Sequence, residues 1–169
     1  MNSDNRPLDF LCLGAQKAGT SYLVGALRSH PDIQLPSCKE LHFFSPIGEY
    51  KSHGDFSQSN FGKDLDWHRQ QFQVDDRVRG EVSTHYLFDP DCAKRIKRSF
   101  PDVKLFAILR NPVDRAFSQY NMERYKTAKE RRPLMQIVRD EPDNEILMRG
   151  MYFQQLVPFM ELFGPDQIR

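Results

Sequence analysis

The stretch FLCLGAQKAGTSYLVGAL, residues 10–27, decides the fold. Its apolar start, residues 10–13, runs into Gly14 and reads as a short buried strand. Residues 20–29 carry Leu23, Ala26 and Leu27 at helical spacing, so the strand turns through a glycine-bounded loop into a helix. Loop N–H groups followed by a helix N-terminus form a cradle for an anion. The usual phosphate-binding pattern is G-x-x-x-x-G-K-[ST]. Gly14 and Gly19 keep its spacing and Ser21 its hydroxyl, but Thr20 stands at the lysine position and the lysine lies inside the loop as Lys17.

The rest of the chain alternates in the same way. His30-Pro31-Asp32 stops the first helix, and residues 33–35 read as a second short strand. Residues 46–62, rich in Gly, Ser and Asn, read as loop. A helix is expected over 65–72 and a strand over 78–83, and Asp89-Pro90 should open a helix with Asp89 as its cap. Residues 103–109 form the clearest strand, six of seven being apolar. Asn111-Pro112 then starts a helix with Asp114 in its first turn, and two more are expected over 143–148 and 152–163. Strands alternating with helices predict an α/β chain, a P-loop-like three-layer fold with a central parallel sheet and helices on both faces. Ligands of such sheets sit beyond the carboxyl ends of the strands.

Composition narrows the function. The chain has 169 residues, 39% of them hydrophobic, enough for a single domain spanning 1–169. Basic and acidic residues balance at 24 against 23, so no global field points to nucleic acid and any anion site must be local. No apolar run approaches the roughly 18 residues of a transmembrane segment, and the polar, acidic start is unlike a signal peptide. Cys12, Cys38 and Cys92 form neither a disulfide framework nor a metal set, which points to a reducing, cytoplasmic setting.

A magnesium nucleotidase needs a carboxylate after a second apolar strand. The strand over 103–109 ends in Arg110 instead, and Glu81 in the strand before it is a weak substitute. Arg110 stands at the ligand edge of the sheet, and Ser118 follows eight residues later. Two helical turns span about 7.2 residues, so Ser118 returns to the side of the helix start. An Arg with a hydroxyl suits a second, separate phosphate.

Taken together, GAQKAGTSYL and LRNPVDRAFSQY resemble the two nucleotide motifs of the sulfotransferases that use 3′-phosphoadenosine 5′-phosphosulfate (PAPS). KELHFF, GEVSTHYL and RGMYFQQLVPFMELF resemble further segments of the glycosaminoglycan-type and related bacterial members, so the likeness runs from Phe10 to about Phe163. It implies that Gln16, Lys17, Ala18, Gly19, Thr20, Ser21 and Tyr22 hold the 5′-phosphosulfate, with Lys17 on the bridging oxygen. It also implies that Arg110 and Ser118 hold the 3′-phosphate, and that PAPS is the donor with no metal required. In the glycosaminoglycan-type enzymes the Glu of KELHFF is the base, which carries over to Glu40. Small-molecule sulfotransferases use a His, which leaves His42 as the other candidate. An extended backbone would place both on one face.

Ser45 and Val82 depart from the glycosaminoglycan pattern, which has Asp and Lys there, and they argue against a heparan-type acceptor. A small-molecule, lipid or glycan acceptor stays open, as does the oligomeric state. The basic runs at 94–98 and 124–132 read as solvated helix faces. A degenerate P-loop kinase and a non-catalytic nucleotide-binding module are the competing readings. The chain stops where the family continues with a strand, helices and a closing loop, so a C-terminally truncated domain with an open site is the expectation.

Overall fold

A computed structural model describes residues 6–46 and 60–169. Most of the expected loop 46–62 lies outside those residues. Four parallel strands form the sheet: β1 (Phe10–Cys12), β2 (Ile33–Gln34), β3 (Val78–Val82) and β4 (Lys104–Phe106), in the order β2-β3-β1-β4. Between and after them run α1 (Thr20–Arg28), α2 (Leu65–Arg69), α3 (Cys92–Ser99), α4 (Pro112–Asn121), α5 (Leu134–Asp140), α6 (Glu145–Met148) and α7 (Tyr152–Phe163). The expected α/β architecture is present. Gln167 to Arg169 pairs with the outer edge of β4 through a parallel bridge between Leu105 and Ile168.

The period of two along each strand assigns the two faces. Leu11 and Leu105 point to the larger core, where Ile96 and Phe100 at α3 and Phe159 and Phe163 of α7 pack with them. Cys12 and Val82 point the other way, against Val24 of α1, with Leu23, Leu27 and Phe106 closing that layer. The buried face of α1 therefore runs through Thr20, Leu23, Val24 and Leu27, whereas Ala26 is exposed. Several expected boundaries also shift. The strand at 103–109 contracts to β4, and the helix at 65–72 to α2. The third helix starts after Asp91, whose side chain makes no capping bond, and Asp89 does not cap it either, because its carboxylate accepts the Asp91 N–H in a tight turn and pairs with Arg95.

The helix after Arg110 starts as expected. The Asn111 side chain accepts from the N–H groups of Val113 and Asp114, and Pro112 occupies the first helical position. At its far end α4 widens into a π-helical turn, Met122–Lys126. Arg115, fully buried, ties α4 to α6 by donating to the Ile146 carbonyl, and also to Gln119. Ala116, Tyr120, Ile137 and Ile146 form a satellite cluster beneath it. That packing fixes the direction of α4, and so of everything at its N-terminus.

Candidate functional site

The loop between β1 and α1 is stitched to β4: Ala15 N–H donates to the Ile108 carbonyl and Ile108 N–H to that of Gly14, both at 2.8 Å. Gly14 has φ 147°, and a Cβ there would lie 3.0 Å from the Thr84 carbonyl oxygen. Gly19 caps α1 with φ 97°, a left-handed conformation that glycine adopts without penalty. It offers no side chain to satisfy the first N–H groups of the helix, and the first turn holds no acidic residue. The positive end of α1 is thus left to an outside acceptor. Among the described residues, Gln16 Oε1 in the same loop is buried without a hydrogen-bond partner.

Lys17 adopts a left-handed φ of 68°, unusual for a side chain with a Cβ. Its ammonium reaches Met122 Sδ at 3.8 Å, at the start of the π-helical turn. The Arg110 guanidinium donates to the Lys17 carbonyl at 3.3 Å, while the Tyr152 hydroxyl holds the Arg110 carbonyl at 3.0 Å. Burial lowers the proton affinity of Lys17, and the charges of Lys126, Arg110 and Lys39 lower it further. Arg110, through the Lys17 carbonyl, and Lys39, through Ser21 Oγ, thus reach the segment that carries Lys17, in a chain whose net charge is only +1. Ser118 sits half-buried two turns into α4, Thr20 is buried, Gly19 and Ser21 are exposed, Ala18 is half-buried and Tyr22 is 86% exposed.

Glu40 and His42 meet, but not on an extended backbone. Both are left-handed, with φ 63° and 53°. The turn is pinned to the end of β3: Glu40 N–H donates to the Val82 carbonyl at 3.2 Å and His42 N–H to Ser83 Oγ at 3.4 Å. Glu40 Oε2 accepts from the Thr84 hydroxyl at 2.8 Å and lies 3.5 Å from His42 Nε2, while Oε1 pairs with Lys39 at 3.0 Å. Lys39 also donates to Ser21 Oγ at 2.9 Å, which links the loop to the carboxylate.

Behind His42 stands His85, edge-on with ring centroids 5.3 Å apart. Arg149 donates to His85 Nδ1 at 3.0 Å and pairs with Glu145. Burial, with the charge of Arg149 next, holds the His85 pKa down to about 2. Burial also lowers that of His42, against the opposing pull of Glu40 and Glu81. Both imidazoles are neutral at pH 7, and His42 Nδ1 is buried without a partner among the described residues.

Glu81 is not at the site surface. It is 1% exposed, lies 2.9 Å from His68 Nε2, and accepts from Ser83 at 2.8 Å and Tyr86 at 2.5 Å. The Tyr86 oxygen in turn accepts the N–H groups of Phe43, at 2.8 Å, and Phe44, at 3.4 Å. A buried polar network thus carries the segment that presents Glu40 and His42. Tyr86→Phe leaves those N–H groups without their acceptor and removes one of the two donors to Glu81 Oε1, at a cost of about 1–3 kcal/mol. For a chain of this size that is roughly 2–12 °C in Tm. A melt within 1 °C of wild type would refute the network's role.

Sequence reasoning missed two cations. Lys39, beside Glu40 in the sequence, was given no role, and its contact with Ser21 crosses 18 residues. Lys126 lay in a basic run, and it ends the π-helical turn that starts at Met122, the residue Lys17 touches. Among the described residues no cluster of His, Cys, Asp and Glu suited to a metal ion occurs, and no helix is long and apolar enough to cross a membrane.

Residues 7–169 match the sulfotransferase domain family. A sulfotransferase structure from Alicyclobacillus acidocaldarius superposes with a TM-score of 0.77 at 33% identity, covering 97% of this chain and 72% of that one. The sulfotransferase domain from the curacin biosynthetic pathway shares the fold, with a TM-score of 0.62 at 14% identity over 97% of this chain and 66% of its own. Human heparan sulfate glucosamine 3-O-sulfotransferase 6 is 32% identical over 119 residues, 69% of this chain and 31% of its own length. Membrane-associated sulfotransferase kil1 of Dictyostelium discoideum is 28% identical over 118 residues, 67% of this chain and 22% of its own. The chain spans less than a third of the length of these two relatives. The loop, the parallel sheet and the match along nearly the whole chain place it in the sulfotransferase family.

Proposed function

We propose that the chain moves a sulfuryl group from PAPS to a hydroxyl or amine of an acceptor. The observation that carries this reading is the meeting of Lys17 and Arg110 at the uncapped N-terminus of α1, with Lys39 joining Ser21 of that helix to Glu40. The N–H groups of Gly19, Thr20 and Ser21, with the two hydroxyls, hold the 5′-phosphate. Arg110 and Ser118 hold the 3′-phosphate at the start of α4. Gln16, Ala18 and Tyr22 line the same loop. Glu40 takes the acceptor's proton as the acceptor oxygen or nitrogen bonds to sulfur. The bond from sulfur to the bridging oxygen breaks, and Lys17 meets the charge left on the departing phosphate.

A sulfuryl group carries less charge than a γ-phosphoryl group, so these cations suffice in place of a metal clamp. The kinase reading loses its magnesium ligand, because both oxygens of Glu81 are engaged inside the core. Relatives named for heparan sulfate favour a glycan among the acceptor classes, while Ser45 and Val82 argue for one other than heparan itself.

The test is a thermal shift with adenosine 3′,5′-bisphosphate against ADP. The bisphosphate at a hundred times its Kd should stabilise by about 2.7 kcal/mol, and ADP at the same concentration by much less. Equal shifts would refute the assignment of Arg110 and Ser118.

A further inference from the structure

We propose that His85 and Arg149 are positioning residues for the acceptor side of the site: Arg149 fixes the His85 ring, and His85 in turn holds the His42 ring with Nε2 toward Glu40. The inference rests on the reading above, in which Glu40 takes the acceptor's proton, and adds the two residues behind it. His42 Nε2 faces Glu40 Oε2 at 3.5 Å, and a carboxylate oxygen only accepts, so Nε2 carries the proton of the neutral ring. Nδ1 is then a bare acceptor, buried without a partner among the described residues. A ring with one long contact and one unbonded nitrogen is held by what packs on it. His85 packs on it edge-on, at 84° and 5.3 Å between centroids.

His85 is fixed from behind. A guanidinium has donors only, so the 3.0 Å contact with Arg149 requires a bare Nδ1 on His85. The proton of this neutral ring therefore sits on Nε2, and a single tautomer is selected. Arg149 is itself 4% exposed, pairs with Glu145 one turn earlier and lies 4.3 Å from the centre of the Phe88 ring. The backbone beyond it is anchored too. A Cβ on Gly150 would come within 3.1 Å of Pro112 Cβ, and the Tyr152 hydroxyl holds the Arg110 carbonyl. Residues 149–152 thus join the start of α4 to the histidine beside Glu40. A precise site needs such support, with rotamers locked by packing and hydrogen bonds one layer behind the reacting groups.

The experiment reads the two rings directly and needs no ligand. Nitrogen-15 NMR of the histidine side chains is recorded at neutral pH on the wild type, Arg149→Met, Arg149→Lys and His85→Ala. In the wild type both rings should show a bare Nδ1 and a protonated Nε2. Arg149→Met keeps volume but not the donor. The two nitrogen signals of His85 should move toward each other as its tautomers mix, and those of His42 should follow. His85→Ala leaves Arg149 in place and should mix the His42 signals by itself. Arg149→Lys keeps a donor and a charge, and should return both rings part of the way. His42 signals that stay as in the wild type in His85→Ala overturn the proposal, and a lowered Tm beside them would mark a purely structural role. A wild type with His42 protonated on Nδ1 overturns it as well, whether or not a variant folds. The acceptor reading fails separately: a fully active Glu40→Gln removes it and leaves the positioning of His42 to stand on the ring signals.

Discussion

Glu40→Gln is expected to abolish transfer while leaving the donor site intact. The substitution keeps volume and the ability to accept from the Thr84 hydroxyl, which lies 2.8 Å from Oε2. It removes the proposed proton acceptor. General-base contributions amount to roughly 10²–10⁴ in rate, and kcat should fall by that factor. The ion pair with Lys39 is lost as well, but it joins two partly exposed groups, so little stability goes with it. Bisphosphate binding should stay within about threefold of wild type, since Glu40 reaches the loop only through Lys39 and Ser21. The rival for the role is His42, 3.5 Å away. Burial lowers its proton affinity, so it is neutral at pH 7 and can accept a proton, though the resulting cation would form in an environment that disfavours it. Transfer of labelled sulfate from PAPS to a panel of glycan and small-alcohol acceptors decides the matter. A healthy Glu40→Gln beside an inactive His42→Ala would reverse the two roles.

How much of this could be read in advance depends on the range of the interaction. The strand, loop and helix at residues 10–28 were legible because the signal is local: glycines where φ is positive, hydroxyls at a helix start, an apolar run before them. The N-terminus of α4 was legible for the same reason, since Asn111 and Pro112 act on the next three residues. The bounds of α7 agree with its apolar pattern, although Pro158 lies inside it. What escaped is long-range or depends on an unusual backbone. The Glu40–His42 turn needs two left-handed residues that carry side chains, and no periodicity predicts that. Its supports come from Thr84 and Tyr86, more than 40 residues along the chain. Lys17 meets Met122 across 105 residues and Arg110 across 93. The helix α5 went unread because its short run after Pro133 follows a basic stretch that reads as surface. Asp89 looked like a cap by type, but its carboxylate was better used on Asp91 and Arg95.

Lys17→Ala is expected to separate stability from turnover. The ammonium is partly buried, and burial, with the charges of Lys126, Arg110 and Lys39, lowers its proton affinity in the folded chain. A lysine whose folded pKa lies below its unfolded value is less stable as a cation in the fold than in the open chain. At neutral pH its charge therefore costs folding free energy, and the cost disappears as pH rises through the folded value. Alanine removes that cost and can occupy the same left-handed φ of 68° with no more strain than lysine. The urea midpoint of Lys17→Ala should be equal to or above that of wild type. Turnover should move the other way. A cation on the bridging oxygen gains strength as charge builds on the leaving phosphate, so its loss falls on kcat, by roughly 10²–10³, as for other preorganised charge-stabilising donors. Donor binding should weaken by much less, because the N–H groups of α1 and the Arg110 side chain stay in place. Such a trade of stability for rate is what a repulsive cluster of cations assembled for an anionic ligand implies. A Lys17→Ala protein that unfolds earlier than wild type yet keeps its kcat would identify the lysine as a structural member of the loop, through its contact with Met122.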